Sequence, residues 1–448
     1  MAVRYGMAGE GRGAEVDVAF MRRALSLATR GVGRTNPNPL VGAVIVRDGR
    51  IIGEGWHALY GEAHAERNAL ADCAARGEDP RGATVYVTLE PCSHHGKQPP
   101  CVDALVRAGV ARVVVGSRDP NPLVSGRGAA RLAAAGIEVV PDVLRDECDA
   151  INQVFFHYIT TKTPYVVAKW AMTADGRIAC SSGDARWVSG PASREDCHAL
   201  RHRLAAVMVG VGTVAADDPL LTCRLAGGRN PLRVVCDTRL SIAEDSALVR
   251  SAELGEAPLL VACGPIDGAA ESTETAIPDA RADLAARAAK ASRLRARGVE
   301  VLEVPLARAA TPAPDARIDL RELMSALGSR GVDSVLLEGG ARLHGSAFAA
   351  GIVNEAVAYV APKAVCDAAA PGPVAGAGVP LMADARQFGA PHVDVLGSDV
   401  RIAWRVGETE EARALPCVAC GPLYPGGATT CQAIAAAQTA ASTGRDGE

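Results

Sequence analysis

The sequence predicts an α/β protein built from two consecutive domains. The chain has 448 residues, which is the length of about two or three ordinary domains. Apolar runs of strand length alternate with helix-length amphipathic stretches along most of it, and this alternation is typical of a sheet covered by helices. Two breaks in the alternation predict a first domain over 1–148, a second domain over 149–405 and a loosely ordered tail over 406–448.

The first domain has a clear order of elements. A helix is predicted over 17–30, with Asp17 as its N-cap. A β-hairpin follows over 40–57, because two β-branched runs meet at Asp48 and Gly49, a dipeptide that favours a tight turn. The remaining segments predict a helix over 64–77, a strand over 83–91, a helix over 101–110, a strand over 111–120, and a helix and strand within 128–140.

A helix over 146–161 leads into a second series of elements. Apolar, β-branched runs predict strands over 163–172, 205–214, 231–238, 257–264, 299–305, 334–340 and 355–363, and helices are predicted over 191–204 and 317–331. Two segments interrupt this domain. Residues 264–298 are rich in Ala and Arg and are expected to form a surface excursion, while residues 368–380 form a loop of low complexity.

The composition predicts a globular protein of the cytoplasm. Apolar residues make up 48% and charged residues 22% of the chain, which are ordinary values. The formal charge of −4 argues against the broad basic surface that binds nucleic acid non-specifically. We expect neither a signal peptide nor a membrane span, since no apolar segment of suitable length is present. The 13 cysteines then favour thiols and metal ligands over disulfides.

Two fragments of the first domain contain the residue types of a catalytic zinc site. His64 and Glu66 begin an otherwise apolar, helix-prone stretch, and Pro91-Cys92 ends a strand nine residues before Cys101. One imidazole and two thiolates supply three tetrahedral ligands and leave a position for water, while Glu66 would carry protons. Zinc nucleobase deaminases share the His-x-Glu and Pro-Cys features. Here eight residues separate the cysteines, so we expect a loop that returns Cys101 at a helix start.

Two alternatives fit the same residues. A structural zinc site in a non-catalytic binding protein would take a fourth protein ligand, for which His94 or His95 is available. A deaminase acting on another nucleoside or on nucleic acid would use the same three ligands. The acidic balance and the long loop between the cysteines count against nucleic acid.

The second domain lacks the usual dinucleotide fingerprint. No G-x-G-x-x-G follows a strand, so a Rossmann site is not supported. The stretch "SVLLEGGARLHGS" instead combines a strand, two glycines and a helix start, which together can bind phosphate groups. "GVGTVAADDPLLTCR" also brings glycines to the end of a strand. Taken alone, either stretch is more typical of an ordinary glycine turn.

Together these motifs resemble a known family. "TNPNPLVGAVIV", "GWHALYGEAHAE", "TLEPCSHHGKQPPC" and "RDPNPLVSGRG" are similar to the deaminase half of the bifunctional riboflavin-biosynthesis deaminase/reductase, whose cysteines are separated by the same long loop. "VVAKWAMTADGRIA", "GDARWVSGPASREDCHALR", "VGVGTVAADDPLLTCR", "DTRLSI" and "LLEGGARLHGS" are similar to its reductase half.

The resemblance implies a fold and two reactions. It implies an N-terminal cytidine-deaminase-like α/β/α sandwich and a C-terminal dihydrofolate-reductase-like α/β domain. The first would use Zn2+ to deaminate 2,5-diamino-6-(5-phosphoribosylamino)pyrimidin-4-one by hydrolysis, and the second would use NADPH to reduce the ribosyl group of the product to ribityl. The expected partner is therefore a small pyrimidine ribose phosphate, with no nucleic acid or membrane, and we expect a homo-oligomer.

The resemblance also implies functional residues beyond Glu66 and the zinc ligands. In the deaminase domain the substrate contacts would be Asn38, His57, Lys97, Asp119 and Asn121. In the reductase domain the cofactor would be lined by Ala171, Trp187, Thr213, Asp217, Gly340, Ala341, Arg342, Leu343, His344, Gly345 and Ser346. The substrate there would face Lys169, Arg201, Leu221, Arg224 and Glu338, with the two arginines suited to its phosphate. Ala185 departs from relatives that have Ser at this position, which removes a hydroxyl contact.

Overall fold

The chain forms two compact units. The computed structural model describes residues 10–94, 96–121, 125–266, 278–307, 316–407 and 417–418. Within these ranges the units divide between Thr161 and Lys162. The helical region over 145–161 belongs to the first unit, so the division falls after the boundary expected at residue 148.

A five-stranded sheet forms the centre of the first unit. Its strands are β1 (Gly42–Arg47), β2 (Arg50–Trp56), β3 (Thr84–Leu89), β4 (Arg112–Ser117) and β5 (Glu138–Val140). They lie in the order β2-β1-β3-β4-β5. β1 is antiparallel to both of its neighbours, whereas β3, β4 and β5 are parallel. The predicted turn joins β1 to β2, and both Asp48 and Gly49 have positive φ there.

Helices cover both faces of this sheet. They are α1 (Glu10–Ala28), α2 (Ala65–Ala75), α3 (Cys101–Ala108), α4 (Arg127–Ala134), α5 (Arg145–Ile151) and α6 (Gln153–Thr161). Because strand side chains alternate, β1 contributes Ala43 and Ile45 to a core with α2, α3 and α4, and Val44 and Val46 to a core with α1 and α5. The unit is therefore an α/β/α sandwich.

Glycines allow the helices to approach the hairpin closely. A Cβ on Gly42 would lie 1.9 Å from the carbonyl oxygen of Ala24 in α1, and a Cβ on Gly55 would lie 2.3 Å from the Ala69 nitrogen in α2. Any side chain at these positions would push the helices away from the sheet. This close packing fixes the start of α2, which follows His64.

Asp17 does not begin the first helix. α1 starts at Glu10, and Asp17 is a buried residue within it. Its carboxylate accepts two hydrogen bonds from Arg112, each 2.8 Å long, and one of 2.9 Å from the Tyr86 hydroxyl. Burial opposes the charge, but these hydrogen bonds outweigh it and lower the pKa of Asp17. The predicted N-cap was wrong because the partner of Asp17 lies 95 residues away.

The second unit is built on a nine-stranded sheet. Its strands are β6 (Tyr165–Thr173), β7 (Ala206–Gly210), β8 (Leu232–Cys236), β9 (Leu259–Cys263), β10 (Val299–Glu303), β11 (Ser334–Leu337), β12 (Glu355–Ala361), β13 (His392–Leu396) and β14 (Asp399–Arg405). Their order is β10-β9-β8-β7-β11-β6-β12-β14-β13. The strands from β10 to β12 run parallel, and β14 and β13 are antiparallel. β11 therefore lies between β7 and β6, and their carboxyl ends meet at one edge.

The helices of the second unit include three that the sequence analysis did not predict, one of them over Ala247–Glu253. They are α7 (Pro191–Arg203), α8 (Val211–Asp217), α9 (Ala247–Glu253), α10 (Pro278–Ala296), α11 (Leu320–Ser329) and α12 (Ala341–Ala350). α8 occupies the second half of the strand predicted over 205–214. α10 lies within the segment 264–298, where only a surface excursion was expected. The segment 368–380 has no helix or strand, as predicted.

Part of the expected tail is held against the second unit. Of residues 406–448, the structure describes 406, 407, 417 and 418, and the others lie outside the described residues. Val418 is buried, and its backbone nitrogen donates a 2.6 Å hydrogen bond to Glu355. Arg203 donates a hydrogen bond to the Val418 carbonyl. Over the described ranges, no helix has both the length and the apolar character that a bilayer crossing requires.

Candidate active sites

Three candidate zinc ligands meet in the first unit. His64 directly precedes α2, Cys92 follows β3, and Cys101 is the first residue of α3, as the sequence predicted. The His64 Nδ1 atom lies 3.5 Å from the Cys92 Sγ and 3.4 Å from the Cys101 Sγ. All three ligand atoms lie within 4.8 Å of one another.

This donor set fits zinc. Bond lengths of about 2.3 Å to sulfur and about 2.0 Å to nitrogen place tetrahedral N and S ligands about 3.6 Å apart. The observed separations of 3.4 and 3.5 Å are close to that value. Among the described residues, this is the one group of His, Cys, Asp and Glu side chains with such spacing, and His94 does not join it. His95 lies outside the described residues.

The surroundings of Cys92 favour its thiolate. The pKa of Cys92 is lowered, first because its sulfur accepts a hydrogen bond from the Cys101 thiol, whose own pKa is raised by the same bond. His64 and the Cys101 backbone nitrogen, 3.3 Å away, stabilise the same charge. Thiolate is the form of cysteine that binds metals.

Glu66 lies in the first turn of α2, beside the three ligands. It is 3% exposed, and burial together with the negative charge of Cys92 raises the pKa of its carboxyl group. A raised pKa lets a carboxyl group accept a proton more readily, as a proton carrier must. Glu66 is therefore placed to transfer protons next to the cluster.

A cavity of about 260 Å3 opens onto Glu66, His64 and Cys92. Its lining includes every substrate contact expected in this domain, namely Asn38, His57, Lys97, Asp119 and Asn121. The Lys97 ammonium lies 4.0 Å from the centre of the Tyr60 ring. Burial raises the pKa of Asp119 to about 6, although its carboxylate accepts a 2.8 Å hydrogen bond from the Asn121 backbone.

The sequence analysis missed one wall of this cavity. Phe155, Tyr158 and Ile159 of α6 line it, and their spacing of three and four residues places them on one face of the helix. The same spacing is typical of a helix packed on a core. The spacing alone therefore indicates a packed helix face, and only the fold shows that this face borders a cavity.

A second cavity, of about 360 Å3, lies in the second unit. It brings together most of the expected substrate residues and part of the expected cofactor lining, namely Lys169, Ala171, Trp187, Arg201, Arg224 and Glu338. Ala185 also lines it, and contributes a methyl group at the position of the departure from relatives. Leu221 is buried outside this lining.

Charged residues in the second cavity form a connected cluster. Glu338 follows β11 and accepts hydrogen bonds of 2.6 and 2.9 Å from Arg201, while the Lys169 ammonium lies 3.8 Å away. Burial alone would raise the pKa of Glu338, but the charges of Arg201 and Lys169 outweigh it and lower the pKa to about 2. With Arg194 and Arg224, the cavity lining has four cations and one anion, a balance that favours an anionic ligand.

The remaining predicted cofactor residues lie where two strands end. α8, with Thr213 and Asp217, follows β7, and α12 follows the neighbouring strand β11. A Cβ on Gly340 would lie 3.9 Å from the Thr213 Oγ1, and nothing lies within 4 Å of a Cβ on Gly212. This edge therefore has room for a ligand beside exposed backbone, which suits cofactor phosphates at the start of α12.

Not every residue of the predicted Gly340 to Ser346 run faces this edge. His344 is buried, and its ring nitrogens lie 3.1 Å from the Pro373 carbonyl and 3.3 Å from the Leu337 carbonyl. A Cβ on Gly345 would lie 1.7 Å from the Ala375 carbonyl. These two residues hold α12 against the segment 373–375.

Several further residues of the second cavity were missed, among them two next to Arg201 on α7. Cys197 and His198 line it, four and three residues before Arg201 in α7. Helical spacing places them on the same face as Arg201. That spacing was visible in the sequence and would have identified them once Arg201 was assigned.

Comparisons with known protein families match each of the two units to a family model. Residues 14–117 match the family model of the cytidine and deoxycytidylate deaminase zinc-binding region. Residues 164–399 match the model of the RibD C-terminal domain.

Individual relatives match across both units. The riboflavin biosynthesis protein RibD of Actinobacillus pleuropneumoniae is 44% identical over 390 residues, which cover 87% of this chain and 95% of the relative. RibD of Escherichia coli K12 is 38% identical over 397 residues, which cover 86% of this chain and 98% of the relative. Two solved structures are also similar. A deaminase/reductase from Thermotoga maritima is 34% identical with a TM-score of 0.73, and Acinetobacter baumannii RibD is 33% identical with a TM-score of 0.74. Each match covers 88% of this chain and 100% of the chain in the solved structure.

The fold and the two sites define a bifunctional enzyme, in which a zinc-dependent deaminase that acts on a small pyrimidine is fused to an NADPH-dependent reductase. Both activities serve riboflavin biosynthesis. The chain belongs to the RibD family. The predictions of the family, the α/β fold class, the two enzyme activities and the cofactors Zn2+ and NADPH are thereby confirmed.

Proposed function

We propose that this chain deaminates 2,5-diamino-6-(5-phosphoribosylamino)pyrimidin-4-one in its first cavity and reduces the ribosyl group of the product to ribityl in its second. The observation that carries this proposal is the convergence of His64, Cys92 and Cys101 beside the buried Glu66. The Thermotoga maritima relative is described as a diaminohydroxyphosphoribosylaminopyrimidine deaminase and 5-amino-6-(5-phosphoribosylamino)uracil reductase. That description supports these two substrates.

In the deaminase domain, His64, Cys92 and Cys101 hold the zinc ion. Zinc in this position acts as a Lewis acid and lowers the pKa of a bound water. Glu66 takes a proton from the attacking water on a carboxylate oxygen and delivers it to the ring nitrogen beside the amino-bearing carbon. It then takes the second proton from the hydroxyl group that has added to the carbon and passes it to the amino group, which leaves as ammonia as the carbonyl forms.

The other lining residues of the first cavity hold the substrate. Asn38, Asp119 and Asn121 offer amide and carboxylate groups that suit the pyrimidine edge and the ribose hydroxyls. Lys97 carries the positive charge in this set and meets the phosphate. Its ammonium lies over the Tyr60 ring, which favours a cation at that place.

In the reductase domain, Lys169, Arg201 and Arg224 bind the phosphorylated substrate, with Glu338 beside it. NADPH supplies the hydride that reduces the ribosyl group. The start of α12 and the end of β7 bind the cofactor phosphates through backbone nitrogens. The cofactor is lined by Gly340, Ala341, Arg342, Leu343 and Ser346 together with Ala171, Trp187, Thr213 and Asp217, whereas His344 and Gly345 hold α12 in place.

Product analysis tests this function. The diaminopyrimidine phosphate is incubated with the enzyme, with and without NADPH, and the products are identified by mass. Without NADPH we expect release of ammonia and a product in which oxygen replaces one amino group. With NADPH we expect the further addition of two hydrogens. Absence of ammonia release by the zinc-loaded enzyme would contradict the proposal.

Glu66→Gln isolates the catalytic step. The substitution removes the proton carrier, so ammonia release should fall by about 100-fold or more, while bound zinc stays unchanged. Glu138→Gln on the exposed edge of β5 is the matched control and should keep full activity. Loss of zinc from Glu66→Gln would show that Glu66 serves the metal site and not the proton transfer.

We further propose a homo-oligomer in the cytoplasm. β13 is an edge strand, and its Val393 and Val395 are 56% and 74% exposed, so burial against a second copy would remove apolar surface from water. The metal-binding role of Cys92 and Cys101 needs a compartment that keeps thiols reduced. Light scattering measures the oligomeric state, and cell fractionation tests the location in the cytoplasm.

A further inference from the structure

We infer that His57 is a positioning residue that fixes the side-chain amide of Asn38 as a hydrogen-bond acceptor for an N–H group of the deaminase substrate. The inference rests on the proposed deaminase function and concerns how the first cavity selects its ligand. Both residues line that cavity. Asn38 lies just before β1, and His57 directly follows β2, the partner strand of β1.

The first step is the placement of hydrogen on the His57 ring. The Nδ1 atom lies 3.1 Å from the carbonyl oxygen of Ala63. A carbonyl oxygen only accepts hydrogen bonds, so Nδ1 must donate and therefore carries the hydrogen. The other ring nitrogen, Nε2, faces the amide nitrogen of Asn38. An amide nitrogen only donates, so Nε2 presents a lone pair.

The second step is the orientation of the Asn38 amide. The Asn38 Nδ2 atom lies 3.1 Å from the His57 Nε2 atom. The NH2 group of Asn38 therefore donates to Nε2, which leaves Oδ1 as the polar atom offered to the cavity. Both ring nitrogens of His57 are then engaged with protein, so His57 acts on the substrate through Asn38.

The third step is chemical selection by this acceptor. An aminopyrimidine substrate has ring N–H and amino groups that donate to Oδ1. An amide rotated by half a turn would present its NH2 group to the same donors and lose the hydrogen bond. A site whose polar groups are fixed in advance discriminates strongly against a ligand with the wrong pattern. His57 therefore contributes to specificity without touching the ligand.

Two isosteric replacements separate this role from others. In His57→Gln, the side-chain oxygen reaches the place of Nε2 and can accept from Asn38, so kcat/KM for ammonia release should stay within about threefold of wild type. In His57→Asn, the shorter amide reaches only the place of Nδ1 and leaves Asn38 unpaired. We expect KM to rise about tenfold there, as for one hydrogen bond of ordinary strength, with kcat changed much less.

A double-mutant cycle provides the decisive readout. If His57 acts only through Asn38, His57→Asn should have no further effect on KM in an Asn38→Ala background. Additive losses, or equal losses in His57→Gln and His57→Asn, would overturn the inference. So would loss of zinc from both variants, because His57 would then support the metal site.

Two measurements keep the outcomes distinct. NADPH oxidation with the deaminated substrate should be unchanged in every variant, which shows that the chain is folded. Failure of the wild type to release ammonia would overturn the proposed function. If the wild type is active and His57→Asn matches it, only the role of His57 is overturned.

Discussion

Arg201 and Glu338 form a two-point ion pair inside the reductase cavity, with the Arg201 Nε 2.6 Å from one carboxylate oxygen and Nη2 2.9 Å from the other. Their side chains are only 11% and 10% exposed. The third guanidinium nitrogen donates to the Thr222 carbonyl, 3.1 Å away. This arrangement fixes the position of a positive charge in the cavity and joins α7 to the end of β11.

Arg201→Ala should raise the KM of the reductase for its phosphorylated substrate by about tenfold or more, because a fixed cation is lost. It should also destabilise the second unit by about 3 kcal/mol, since the buried Glu338 charge loses its two-point cationic partner and keeps the more distant Lys169 ammonium and the Cys197 thiol. Initial rates of NADPH oxidation and thermal unfolding measure the two effects. Arg330→Ala, which breaks an exposed pair with Glu300, should change neither. An unaltered KM in Arg201→Ala would remove Arg201 from the substrate site.

The Glu338 carboxylate should make the second unit sensitive to acid. Its pKa lies at about 2, below the ordinary value of 4.5, so its ionised form stabilises the folded state. That stabilisation is complete above about pH 4.5 and is lost as the pH falls toward 2. Denaturant unfolding across this range should show a steeper loss for the wild type than for Glu338→Gln. Parallel curves would show that the ion pair contributes nothing.

Removal of zinc should separate the two activities. The candidate ligands all belong to the first unit, so a chelator should abolish ammonia release and leave NADPH oxidation with the deaminated substrate intact. Added zinc should restore deamination, whereas magnesium, which prefers oxygen ligands, should not. Equal loss of both activities would indicate that zinc supports the whole chain.

The segment around Val418 should stabilise the second unit. A chain ending at residue 407 loses the hydrogen bonds that Val418 makes with Glu355 and Arg203, which are buried groups. Unfolding should then require about 2 kcal/mol less. A chain ending at residue 420 keeps these bonds and should unfold like the full chain. Identical unfolding of both truncated forms would assign no role to this segment.

Patterns local in sequence account for much of what could be predicted. The turn at Asp48 and Gly49 was evident because few residues adopt positive φ without cost. The start of α3 at Cys101 followed from the need to return a second thiol to the metal after a loop. The zinc cluster was predicted because its residue types are rare together and their chemistry is specific.

Long-range contacts account for the rest. Asp is a residue type that is preferred at the N-cap of a helix, and only the folded chain brings Arg112 to Asp17. The run over 205–214 is uncharged and rich in Val, yet the strand ends at Gly210 and α8 follows. The role inferred for His57 depends on contacts with Asn38 and Ala63, whose geometry no spacing rule gives.

Both cavities belong to one polypeptide, each within its own compact unit. Every translated copy therefore delivers the two catalysts in equal number, at any level of gene expression. Degradation of a whole chain removes both together. The intermediate released by the first reaction always meets as many reductase sites as there are deaminase sites, so that unequal synthesis cannot cause it to accumulate.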